Sequence, residues 1–178
     1  MDYSDILLIA SAVVLVVLFW AVITHRHLKH LSAITSQKWE EVFLLLRMRT
    51  DLIPLLVELS KKQMTFDEKN LKTLIRVRME ASKEEKVNAR KIELEHELSA
   101  LLRQIWSLLG ANAETKKESK MVELKTDFQL LEKRIEEKSL EYNEAVRKFN
   151  KRRNFFIFRP IAAVFGLRTR NIFEFEKM

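Results

Sequence analysis

The sequence predicts an all-α protein, with an N-terminal single transmembrane helix followed by a long antiparallel three- or four-helix bundle. Three observations predict it. The first is the scarcity of turn residues: two Gly and two Pro in 178 residues, where an average globular chain carries roughly 12% of those two types. Sandwiches, barrels and open sheets need the frequent turns that such residues supply. The second is a continuous apolar run near the start, and the third a regular three-and-four spacing of apolar residues near the end. Composition also limits the chemistry. With no cysteine, disulfides, thiolate nucleophiles and cysteine metal sites are excluded. A formal charge of +7 and a pI of 9.6 point to an anionic partner, be it lipid, nucleic acid or acidic protein.

Residues 1–5 read as a short extracytoplasmic N-terminus and residues 6–23 as the transmembrane anchor. Ile6 to Ile23 holds one polar side chain, Ser11, and at ~1.5 Å per residue spans about 27 Å, close to a hydrocarbon core. A buried core helix would need a polar stripe. A cleaved signal peptide would carry basic residues before the run, whereas Asp2 and Asp5 precede it and His25, Arg26, His27, Lys29 and His30 follow. Residues 24–34 are therefore a basic juxtamembrane segment. Its Arg26 and Lys29 orient the chain with the N-terminus outside and the C-terminal domain cytoplasmic, a single-pass protein of the cell membrane.

The bundle is expected over residues 35–153, with helices about 35–62, 65–109 and 114–153. In the first, Trp39, Val42, Phe43, Leu46, Ile53, Leu56 and Val57 recur at helical spacing, and Pro54 predicts a kink by removing the donor to the Thr50 carbonyl. Thr65 and Glu68 form a capping box for the second. Its apolar face is interrupted from Ser82 to Lys91, which reads equally as a solvated helical extension or as a break. Gly110 is expected to end it, with Ala111 and Asn112 as the turn. In the third, Met121, Leu124, Phe128, Leu131, Ile135, Lys138, Tyr142, Ala145 and Phe149 make an a/d seam over about four heptads. Such a seam must be buried, against the other helices or in a coiled-coil homodimer. Residues 154–178 are a basic-aromatic C-terminal tail.

Two segments carry a specific resemblance. Arg47-Met-Arg-Thr-Asp51-Leu-Ile-Pro54-Leu-Leu-Val57 and Tyr142-Asn-Glu-Ala-Val146-Arg-Lys-Phe149-Asn150, with Glu132 and Ile135 upstream and Phe158-Arg-Pro160-Ile-Ala162, Phe165-Gly166 and Phe173-Glu174 downstream, resemble the LemA family in order and spacing. Leu55 and Ser139 depart from the pattern and mark a divergent member. The resemblance implies a bacterial membrane-anchored helical bundle with no catalytic residues. In that context Arg47, Arg49, Asp51, Pro54, Tyr142, Asn143 and Asn150 are candidates for a docking surface. The plainer readings are an i, i+4 pair between Arg47 and Asp51, and interhelical hydrogen bonds from Asn143 and Asn150 that set bundle register.

Sites for chemistry are thin. Glu93-Leu-Glu-His96 is the one Glu-x-x-His step, and a di-metal bundle needs two. His25, His27 and His30 read as interfacial residues rather than metal ligands. Gly110 and Gly166 make neither a nucleophile elbow nor a phosphate-cradling loop. The chain is expected to be no enzyme and to use no cofactor. From Ala145 to Phe173 eight basic residues and no acidic one are interleaved with phenylalanines. Arg152, Arg153, Phe155, Phe156, Phe158, Arg159, Arg168 and Arg170 are candidate membrane-surface contacts, because cations and aromatic rings together suit an anionic leaflet. The alternative is that the rings pack on the bundle. The expected role is a non-catalytic interaction or scaffold module at the inner face of the membrane. Its partners are the lipid bilayer and, still open, an anionic lipid surface, a membrane protein or a second copy. A membrane-tethered nucleic-acid-binding protein, or an adaptor for a protease or transporter, is the alternative.

Overall fold

The computed structural model describes residues 2–63, 68–111 and 119–177. Among these, five helices follow in order: α1 (Tyr3–Gln63), α2 (Glu68–Lys83), α3 (Ala89–Ala111), α4 (Ser119–Asn154) and α5 (Arg159–Val164), with no strand. The all-α expectation holds. The chain divides into two compact units. A first unit comprises Met1–Gln37 and Glu144–Arg170, and a second comprises Lys38–Asn143 and Asn171–Met178. Helices α1 and α4 contribute to both.

In the first unit, every described side chain from Asp2 to Phe19 is exposed. An 18-residue window of α1 reaches a mean hydropathy of 3.1 with none of it buried, so the helix is long and apolar enough to cross a membrane. One-sided burial begins where that run ends: Thr24, Leu28 and Thr35 are inside, at helical spacing. Residues 24–34, read from the sequence as a basic juxtamembrane segment, are helical and continuous with the residues on either side. This stretch contains no Gly or Pro, and Leu28 and Leu31 keep the helical period through its basic residues. Val146 and Phe149 of α4 and Ala162 of α5 are buried in the same unit. Gly166 stops α5. It takes φ +65° and donates to Ala163 O (3.2 Å), while Leu167 N–H donates to Ala162 O (2.9 Å). This is a Schellman closure, which needs a left-handed residue at that position.

The second unit is built on a core that includes Ile53, Leu56, Leu74, Leu98, Leu102 and Phe128, with Trp106 edge-on to Phe128 at 5.8 Å. The seam of α4 faces inward within the chain, since Met121, Leu124, Phe128, Leu131, Ile135 and Tyr142 are all buried. Lys138, its polar member, sits in a four-charge ring. Lys38 Nζ meets Glu141 (2.6 Å) and Glu41 (3.4 Å), and Lys138 Nζ meets Glu41 and Glu141 (3.0 Å each). Residue numbers rise along α1 as they fall along α4, from 38–141 to 49–132, so the two helices are antiparallel.

The single helix expected over 65–109 is two. Chain direction reverses at residues 84–88, and Asn88 then caps α3: its Oδ1 accepts the Lys91 N–H at 2.7 Å, three residues into the helix as an N-cap requires. Trp39 Nε1 donates to Glu85 O (2.6 Å) and ties the turn to α1. At the other end α3 runs through Gly110 to Ala111, and Gly110 does not take the left-handed conformation, so it is no C-cap. Thr65, Asn112 and residues 114–118 lie outside the described residues. Around α2, Arg76 and Arg90 both reach Glu80 and hold its carboxyl below the usual range, Arg76 having the larger effect.

In the ring, Lys138 lowers the pKa of Glu41 most and Lys38 lowers that of Glu141 most, through hydrogen bonds to the ionised carboxylates. Depressed carboxylate pKa values stabilise the fold above the unfolded value of 4.5, and that contribution is lost as pH falls through the folded values. The Glu41→Gln/Glu141→Gln protein should therefore lose less thermal stability than the parent between about pH 6 and about pH 3, measured as the melting midpoint by circular dichroism.

Candidate functional site

The first motif of the sequence, Arg47 to Pro54, is a staple between helices. Pro54 has no N–H, so the Thr50 carbonyl four residues earlier loses its helical donor. Arg78 of α2 supplies one, its Nε donating to Thr50 O at 2.7 Å. The same guanidinium meets Asp51 at 3.8 Å, so Asp51 pairs with α2 rather than with Arg47. Helix α1 continues through Pro54. Arg47, Asp51 and Pro54 are exposed, but Arg49 is fully buried.

Arg49 joins three helices. Its Nη2 donates to Glu95 Oε2 (2.5 Å) and its Nη1 to Ser99 Oγ (3.0 Å) on α3, and Nη1 lies 3.7 Å from Glu132 on α4. Lys91, also buried, meets Glu95 Oε1 at 2.8 Å and donates to Ala81 O at 2.7 Å. Two cations and two anions thus balance in the interior. Isolated, any one of them would carry a desolvation penalty of several kcal/mol. A cavity of about 290 Å³ opens beside Lys91 and Glu95, lined also by Phe43, Thr50 and Ser82.

The second segment, Tyr142 to Asn150, grips the C-terminal tail. Asn143 Nδ2 donates to Phe173 O (2.8 Å) and its Oδ1 accepts the Phe173 N–H (2.7 Å). Tyr142 Oη donates to Asn171 O (2.8 Å). Phe173 is buried, with its ring edge-on to Trp39 at 5.3 Å, and Phe175 lies 4.9 Å beneath the Arg49 guanidinium. From α3, His96 Nε2 donates to Glu174 O (2.8 Å) and Arg103 to Lys177 O (2.6 Å). In the first unit Asn150 repeats the asparagine device on Arg170, with bonds of 2.8 and 3.0 Å. The asparagines therefore bind extended backbone of the tail, where the sequence suggested bonds to another helix. Tyr142 and Asn143 are buried, so of the seven docking candidates Arg49, Tyr142 and Asn143 face inward and Asn150 lies in the other unit.

The basic-aromatic tail candidates all fall in the first unit. Phe158 stacks on Trp20 (6.5 Å, 16° between planes), and the Arg152 guanidinium lies over the Phe158 ring at 4.9 Å. Arg153 Nε donates to Leu167 O (3.0 Å), and Arg170 Nη2 donates to Ser32 and Ser36 Oγ (2.9 and 3.0 Å). Phe155, Phe156, Arg152, Arg159 and Arg168 are exposed. The His25 and Phe165 rings meet at 3.9 Å, tilted by 34°. Among the described residues no three His, Asp, Glu or Cys side chains gather into a metal site, and the polar side chains that converge do so on the chain itself. Glu95, Lys91 and Ser99 carry the centre of this arrangement without any motif to announce them; the one signal in the sequence is that they interrupt the apolar face of α3 at positions one turn apart.

A helical bundle laced to its own C-terminus, preceded by a long exposed apolar helix, is the class of protein these features define. Residues 38–178 match the LemA family, and the chain belongs to it. No curated protein shows a significant match.

Glu95→Gln should lower the unfolding free energy by about 3–5 kcal/mol, because Arg49 and Lys91 would keep their charges in the interior. The exposed Glu93→Gln should stay within about 0.5 kcal/mol; denaturant unfolding of the full chain in detergent compares them. Asn143→Ala leaves the Phe173 N–H and C=O unpaired, at a cost of about 1–3 kcal/mol. Hydrogen exchange should show faster amide exchange at Phe173 and its neighbours than in the parent.

Proposed function

We propose that this LemA-family protein is a non-catalytic interaction module anchored in a membrane. The anchor is residues 6–23 of α1, the N-terminus lies outside, and everything from Thr24 onward works at the inner face. One observation carries the reading: Ile6 to Val17 presents apolar side chains on every side, with Leu7 70%, Leu8 68% and Val16 67% exposed. In water that surface is strongly unfavourable, and a core helix of a soluble fold would bury it. Arg26 and Lys29, immediately after the run, favour the orientation.

The non-catalytic reading is supported by where the polar groups are engaged. Arg49, Lys91, Glu95, Asn143 and Asn150 all bond to the chain itself, which leaves them serving shape rather than turnover. The exposed Arg47, Asp51 and Pro54, beside the solvent-facing Leu44, Met48 and Leu55 on α1, are the surface offered to a partner.

Alkaline carbonate extraction of membranes tests the anchor. The intact chain should stay in the pellet and leave it with detergent. Arg substitutions at Val13 and Val16 should move the protein to the soluble fraction, since each Arg at mid-helix disfavours insertion by about 2.5–3.5 kcal/mol. A parent chain extracted by carbonate alone would end the reading. For the interaction role, a photocrosslinker at Leu55 should give discrete adducts in membranes, where one at the exposed Ala100 of α3 gives none.

A further inference from the structure

Charge in this chain is segregated between its two units. Residues 1–37 and 144–170 hold ten Lys and Arg against Asp2, Asp5 and Glu144, which accounts for the whole +7 of the chain. The remaining basic and acidic residues cancel in the second unit. Of the three acids, Asp2 and Asp5 precede the apolar run, and Glu144 is paired with Lys148 at 2.7 Å. Among the described residues Arg152, Arg153, Arg159 and Arg168 make no ion pair with a carboxylate. The last turn of α4 accounts for Arg152 and Arg153 through the helix dipole, but that argument does not reach Arg159 or Arg168.

The same stretch exposes apolar side chains that the chain does not cover. Phe156 is 73% exposed, Val164 79%, Phe165 50% and Phe155 48%. Their level along α1 is set by two ring contacts, Phe158 on Trp20 and Phe165 on His25. Positions 20–25 are where the apolar run of α1 gives way to its basic flank. If residues 6–23 span a bilayer, the loop and short helix of residues 155–165 therefore lie at the depth of the headgroups.

We propose that residues 152–168 form a second attachment to the anionic leaflet of the same bilayer. Phe155, Phe156, Val164 and Phe165 insert at the boundary between acyl chains and headgroups, and Arg152, Arg159 and Arg168 meet lipid phosphates. The proposal rests on the anchor reading above. Aromatic and aliphatic insertion combined with cations is how surface segments bind charged bilayers. A nucleic acid would satisfy the arginines but leave Val164 in water.

The cysteine-free chain lends itself to site-specific labelling. Full-length Phe156→Cys, Val164→Cys, Leu8→Cys and Leu140→Cys proteins carry a polarity-sensitive fluorophore and are reconstituted in vesicles of zwitterionic lipid with or without a third of phosphatidylglycerol. With the anionic lipid, labels at 156 and 164 should brighten several-fold, shift to the blue and be quenched by spin-labelled lipids. The label at 8 should report hydrocarbon in both vesicles, and the label at 140, on an exposed position of the second unit, water in both. Arg152→Gln/Arg159→Gln/Arg168→Gln should return positions 156 and 164 to water without changing position 8. Labels at 156 and 164 in water while position 8 is in hydrocarbon overturn this proposal and leave the anchor standing. A label at 8 in water overturns the anchor and this proposal with it. Binding of DNA or RNA by the reconstituted protein, with 156 and 164 in water, assigns the arginines to nucleic acid instead.

Discussion

The second unit is organised around a buried ion pair, Arg49 with Glu95. Arg49 cannot shed its proton, so a helix that carries it inward must bring an anion to meet it. Glu95 and Glu132 arrive from α3 and α4, and Lys91 restores neutrality. The requirement is stringent because a buried pair contributes little net stability when intact and costs a great deal when half of it is lost. The four charges tie α1, α3 and α4 together at one level of the unit.

The Arg47 to Pro54 segment makes sense on these terms. Its four informative residues look in different directions. Arg49 points to α3 and α4, Thr50 and Asp51 to α2 through Arg78, and Pro54 to solvent while freeing the carbonyl that Arg78 takes up. Of the docking candidates in this segment, Arg49 is buried where α1, α3 and α4 meet, while Arg47, Asp51 and Pro54 stay exposed.

Much of the fold was legible beforehand because it rests on periodicity. The seam of α4 and the inward face of α3 are one-dimensional patterns, and both face as their spacing requires. What escaped had no period. The turn at 84–88 is marked by a single capping side chain, Asn88, inside a stretch that is polar nearly all round. Gly110 reads as a stop but sits in helical geometry, since glycine permits a turn without imposing one. In Glu93-Leu-Glu-His96 the metal-like spacing belongs to the outer pair, while Glu95 between them is the residue that matters. Above all, Asn143 and Asn150 bond to main chain of the tail, and no rule of side-chain pairing reveals a partner that is backbone.

That last device has an evolutionary corollary. Carboxamides that read peptide groups are indifferent to which side chains the gripped segment carries, apart from Phe173 in its slot. Ile172 is exposed and free to drift. Spacing is not free. Because exposure alternates here, with Ile172 and Glu174 out and Phe173 in, inserting or deleting one residue between Asn171 and Phe173 would swing the ring outward and push a neighbour toward Trp39. Homologues should tolerate many spellings of this stretch and hardly any change in its length.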